Sequence, residues 1–154
     1  MKILVSACLL GKNCKYSGGN NYCPQVEAFL RGKEVLEVCP EVLAGLPVPR
    51  EPIELVQGVL MDCTGRDADG LLRRSAGYLA TEAKAAGVEL AILQPRSPTC
   101  GVRQVYDGSF SGRLISGSGV FARALLALGI PTVEPDAVDC LMEQNTDGER
   151  ESGK

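Results

Sequence analysis

Cys8, Cys39 and Cys100 each stand at or just past the end of an apolar run, in "KILVSAC", "KEVLEVC" and "VELAILQPRSPTC". Thiolates are soft metal ligands and nucleophiles, so thiols delivered by three separate segments could hold a metal together. The chain has seven cysteines and no histidine, which removes Cys-His and Ser-His nucleophile pairs, His-rich zinc sites and any imidazole base. Acid–base work must then fall to Asp, Glu, Lys, Tyr, Cys or water. Glu41, two residues after Cys39, supplies a carboxylate beside one of the thiols.

Which metal three thiolates would hold depends on a fourth donor. Cys14, six residues after Cys8 in a Gly- and Asn-rich stretch, is the extra candidate, either as a fourth ligand or as an exposed, oxidisable thiol. With it, a four-cysteine zinc site is possible. Without it, the set suits a [4Fe-4S] cluster with one open iron, a Lewis-acid position. No C-x-x-C pair is present, so the usual ribbon and ferredoxin spacings are missing. Cys63 and Cys140 read as small core hydrophobes, and Cys23, just before Pro24, as structural or surface. Seven is an odd number, and a reducing compartment disfavours structural disulfides.

The elements that would carry these thiols follow from the periodicity. Short apolar runs predict strands over Lys2–Ala7, Lys33–Pro40 and Val88–Gln94, and a last short one in "IPTVEP". "IELVQGVLMD" predicts a hairpin or bent strand about Gly58. Helical spacing predicts a short helix from Pro24 to about Gly32, a long one from Asp67 to Gly87, and one from Gly119 to Leu128. A final short helix in "DAVDCLMEQ" is predicted with Asp136 as its N-cap, and "YDGSFSG" reads as turns. Strands alternating with helices imply an α/β fold, a single-domain layered structure with a largely parallel sheet flanked by helices. In such sheets ligands bind outside the carboxyl ends of the strands, where Cys8, Cys39 and Cys100 would converge. The domain is expected to span 1–144, with 145–154 a polar, disordered tail.

Net charge is −3 and no basic run exceeds Arg73-Arg74, which argues against a nucleic-acid surface. No apolar run reaches membrane-spanning length, and the start reads as a strand rather than a signal peptide, so a cytoplasmic location is expected. The sequence sets no oligomeric state.

"VSACLLGKNCKYSGGNN", "CPEVLAGLPVPREPIELV", "SPTCG", "YDGSFSG" and "GSGVFARALLALGI", in that order, closely resemble the thiouracil desulfidase family, long catalogued as a domain of unknown function. The resemblance runs from Met1 to Val133. It implies a [4Fe-4S] cluster bound by Cys8, Cys39 and Cys100, one that aerobic preparation can strip. Cys14 ranks below these three, because its position is apolar in some relatives. Glu41 and Ser97 are implied as the proton-handling and substrate-orienting residues, with Arg50 and Asp107 bracing loops. The implied activity is hydrolytic removal of sulfur from a thiolated pyrimidine, base or nucleoside, with release of hydrosulfide and no external electron donor. The alternative is a non-catalytic zinc- or cluster-binding module that senses or docks. A thiol nucleophile at Cys14 or Cys100, and a desulfidase acting on a thiolated tRNA base, are further rivals.

Overall fold

The computed structural model describes residues 1–141. Its first strand, β1 (Lys2–Ser6), turns directly into a 3-10 segment over Ala7–Leu10. Helix α1 (Pro24–Leu30) begins on Pro24, whose missing N–H costs nothing in a first turn, and leads into β2 (Glu34–Val38). A one-turn helix, α2 (Pro40–Leu43), follows immediately, and it was not anticipated from the sequence. The segment about Gly58 is a hairpin of β3 (Ile53–Val56) and β4 (Val59–Asp62), with Gln57 and Gly58 both at positive φ as a two-residue turn requires. The long helix α3 (Asp69–Ala85) and strand β5 (Leu90–Ile92) come next. A second hairpin, β6 (Gln104–Tyr106) and β7 (Leu114–Ser116), encloses the "DGSFSG" turn. Helix α4 (Val120–Ala127) and strand β8 (Thr132–Val133) complete the order.

The central sheet is parallel, in the order β2-β1-β5-β8. Alternation along β1 and β5 builds the layers. Leu4, Ala91 and Leu93 face a core shared with α3 and α4, including Leu72, Ala76, Phe121 and Leu125. Ile3, Val5, Leu90 and Ile92 face the other side, against Val26 and Phe29 of α1 and Val138. Strands buried on both faces need the near-continuous apolar runs seen in "KILVS" and "LAILQ". The expected α/β architecture is therefore the observed one.

The C-terminal part departs from the reading in one detail. A 3-10 turn occupies Pro135–Ala137 with Glu134 as its N-cap, not Asp136. Pro135 takes the first helical position, where its missing N–H costs nothing, and neither carboxylate caps the turn, since the Arg103 guanidinium binds Glu134 at 2.7 Å and Asp136 at 2.6 Å. The domain limit at 144 and the tail 145–154 lie outside the described residues. Among the described residues no helix is long and apolar enough to cross a membrane.

Candidate metal centre and active site

Parallel strands all point their carboxyl ends the same way, and here β1, β2 and β5 are neighbours. Cys8 lies in the 3-10 turn after β1, Cys39 caps α2 after β2, and Cys100 ends the loop after β5. All three line one cavity of about 600 Å³, together with Cys14, Glu41, Arg50, Ser97, Tyr106 and Phe110. Cys8, Cys14 and Cys100 are buried and Cys39 half-buried. The exposed alternative for Cys14 is thereby corrected. The loop from Gly11 to Asn21 folds back onto the 3-10 turn, with Asn21 N–H donating to Cys8 C=O, and Cys14 within it is buried. Cys63 and Cys140 are exposed, not core residues, and Cys63 stands at the rim of the same cavity with its thiol 3.2 Å from Glu51.

The thiols act on one another. Cys14 sits close enough to Cys8 and Cys39 to shift the titration of both. The Cys8 thiol is held below its ordinary value by the Cys14 hydrogen bond, against burial, with the Asn21 amide assisting from 3.6 Å. Cys39 is pushed far up, first by its hydrogen bond with Cys14 and then by burial. For Cys14 the Cys39 bond acts downward, but the bond with Cys8, burial and the nearby charge of Cys8 outweigh it. Cys100 is pushed up mainly by burial, with Glu41 and Cys39 adding repulsion. A protein without a cation here keeps most of these thiols protonated. A bound cation inverts that balance, since coordination displaces thiol protons.

Soft sulfur donors without imidazole, gathered largely buried from three strand ends onto one cavity, fit an iron–sulfur cluster. Among the described residues no three His, Cys, Asp or Glu side chains close around a single ion position. The thiols line one cavity, and the Asn21 amide supplies an N–H···S contact to Cys8 of the kind such centres use to tune their electronics.

The loop carrying Cys100 is built with little freedom. Ser97 Oγ accepts the N–H groups of Thr99 at 3.1 Å and Cys100 at 3.0 Å. Both acceptor positions of that hydroxyl are thus taken, which leaves its O–H free to donate. Helix α4 presses its first turn on the loop: Val120 N–H reaches Pro98 C=O at 3.1 Å and Phe121 N–H reaches Thr99 C=O at 2.8 Å. Those are donors a helix start must place somewhere. Gly119 is needed for this approach, because a Cβ there would meet the Thr99 carbonyl at 2.4 Å.

Glu41 sits in the first turn of α2, with its side chain 18% exposed. One carboxylate oxygen accepts Thr99 Oγ1–H at 3.1 Å, and the other is ion-paired with Arg50. Arg50 also donates to the carbonyls of Cys14 (3.0 Å) and Pro47 (3.2 Å), so it braces loops as expected and in addition grips Glu41. That second contact and the Thr99 bond were not legible beforehand. Asp107 braces its own turn by accepting Ser109 N–H at 2.9 Å.

The sequence profile of the 2-thiouracil desulfurase family matches residues 3–136. The chain belongs to the 2-thiouracil desulfurase family. The matched span agrees closely with the extent of the motif resemblance, Met1 to Val133. Within this family setting, the uncharacterized protein YbbK of Bacillus subtilis (strain 168) is 31% identical over 150 residues, spanning 91% of this chain and 99% of its own. The solved [4Fe-4S]-dependent thiouracil desulfidase TudS superposes with a TM-score of 0.86 at 32% identity, covering 94% of this chain and 97% of that one. Family and fold together support desulfidase function and do not favour the non-catalytic module.

Proposed function

We propose that the protein is an iron–sulfur-dependent desulfidase that hydrolyses the C–S bond of a thiolated pyrimidine, base or nucleoside, and releases hydrosulfide. The observation that carries this is the convergence of Cys8, Cys39 and Cys100 with Glu41 and Ser97 on one cavity. In this reading those three cysteines hold a [4Fe-4S] cluster, and Cys14 stays beside it as a hydrogen-bonding thiol. When bound, the cluster supplies an open Lewis-acidic iron for the exocyclic sulfur.

The chain's own residues do the rest. Arg50 and Thr99 hold the Glu41 carboxylate in one orientation. Glu41 takes a proton from water, and the water oxygen attacks the ring carbon that bears sulfur. Ser97 donates its free O–H to the substrate and steadies charge as the bond breaks. The C–S electron pair leaves on sulfur, which takes the proton held by Glu41 and departs as hydrosulfide, while the ring carbon keeps the oxygen and the second water proton passes to solvent as the C=O forms. No electron is exchanged, so no donor protein is needed. The same reading treats 1–144 as the catalytic domain, 145–154 as a polar tail and the cytoplasm as its place of work.

The test is anaerobic iron–sulfur reconstitution followed by sulfide release from 2-thiouracil, 4-thiouracil and a thiolated nucleoside. Sulfide from one or more of them is expected. Reconstituted protein that releases none from any of the three overturns the reading.

A further inference from the structure

The mechanism above uses the floor of the cavity and leaves one wall without a role. Of the chain's seven aromatic residues (3 Phe and 4 Tyr, with no Trp), Tyr16, Tyr106 and Phe110 all line this cavity. Tyr106 ends β6, and Phe110 sits in the β6–β7 turn at φ +56, a left-handed conformation that a phenylalanine rarely adopts. Backbone outliers of this kind persist only where surrounding contacts enforce them.

The enforcing contact is Glu54 of β3, which is 7% exposed and also lines the cavity. Its Oε1 accepts the N–H of Gly108 at 3.0 Å and the N–H of Phe110 at 3.1 Å. Gly108 makes the approach possible, since a Cβ there would lie 2.5 Å from the Leu55 carbonyl. The turn is thus clamped onto β3 by a buried carboxylate and a close backbone contact.

Resting on the function proposed above, we infer that Phe110, with Tyr106 beside it, is the stacking wall that selects a flat heteroaromatic ring. Glu54 is the positioning residue that holds Phe110 there. A planar base presents a π-face whatever its substituents, and stacking on an aromatic side chain recognises that face. Such a wall binds substrate and product alike, because the ring survives the reaction. It therefore acts on ground-state affinity more than on the chemical step.

The test uses the reconstituted protein with two readouts: kcat and KM for 2-thiouracil, and the Kd of uracil, which is not turned over. Phe110→Ala should raise both KM and Kd about tenfold with kcat changed less than about threefold. Phe110→Tyr should restore both. Glu54→Ala should reproduce the Phe110→Ala pattern, while Glu54→Gln, whose amide oxygen still accepts two N–H groups, should stay close to the parent. A thermal midpoint for each variant identifies any that fail to fold, and the Phe110 pair alone then decides. Wild-type sulfide release with Phe110→Ala values matching the parent overturns the stacking wall and leaves the desulfidase reading intact. Uracil binding that depends on Phe110, in a protein that releases no sulfide, does the reverse.

Discussion

The carboxyl edge of the parallel sheet and the two hairpins that stand over it solve different problems. The edge is made of β1, β2 and β5, each hydrogen-bonded to a neighbour along its length, with β1 and β5 buried at their centres. Cys39 follows β2 directly and Cys8 lies in the 3-10 turn after β1, while the longer loop that carries Cys100 is braced by Ser97 and the first turn of α4. The hairpins β3–β4 and β6–β7 are separate two-stranded ribbons, a form that is marginal by itself and must lean on the rest of the fold. Carboxylates are among their ties: Glu54 clamps the β6–β7 turn, and Asp69 Oδ1 accepts the Leu60 N–H of β4 at 3.1 Å. A cluster needs its ligands fixed relative to one another, while a substrate needs a wall held against the cavity. On the proposed function, the first task falls to the sheet and the second to the ribbons.

The division is broken most severely at the edge. Cys39→Ala should abolish iron uptake and sulfide release together, as metal analysis and brown absorbance after anaerobic reconstitution will report. Cys14→Ala should keep its iron, and a loss as complete as that of Cys39→Ala would make Cys14 a ligand. Next in size is Glu41→Gln, which should lower kcat by about 10²–10⁴-fold while iron content stays at the parent level. A variant that remains fully active would remove Glu41 from the chemistry.

Two glycines then set the regions against each other. Gly119→Ala drives a Cβ into the Thr99 carbonyl beneath the Cys100 loop, at a cost of about 3 kcal/mol. Both the thermal midpoint and iron content should fall. Gly108→Ala combines a φ of +92 with contact on Leu55, and acts on the ribbon. It should weaken uracil binding while the iron content holds, and equal losses in the two variants would show that edge and ribbon are one unit.

The smallest effect is expected from pH. The Asp69 carboxyl is held below its usual range, first by the Leu60 N–H, which outweighs the opposing effect of burial, with Arg73 adding to the lowering. A group depressed in the folded state contributes stability above its unfolded value and loses it as pH falls through the folded one. Acid should therefore loosen the β3–β4 ribbon slightly, and Asp69→Asn should flatten that part of the melting-temperature profile.

How far the site was legible varies with how local its causes are. The strand runs before Cys8, Cys39 and Cys100 carry their own signal, because apolar continuity and Pro-Gly punctuation are read within a few residues. The ends of most elements shifted by one or two residues, as expected of hydrogen-bonded boundaries. The one-turn helix at Pro40 and the β6–β7 hairpin left no comparable trace, being too short for a period to show. Glu41 was found through its motif, but its two partners were not. Thr99 lies 58 residues away along the chain and Glu54 binds Phe110 across 56, and neither pairing has a local signature.

By itself the sequence determined the donor types and the layered fold: thiols without imidazole, a carboxylate beside one thiol, and apolar runs that had to become buried parallel strands. Those follow from composition and short-range periodicity, which act before any long-range contact forms. Only the tertiary structure decided which cysteines meet. It drew Cys14 inward, left Cys63 at the rim and Cys140 on the surface, joined Arg50 and Thr99 to Glu41, and hung Phe110 over the cavity from Glu54. Such choices depend on strand order and on polar groups finding partners across the fold, and no window of sequence contains both halves of those bonds.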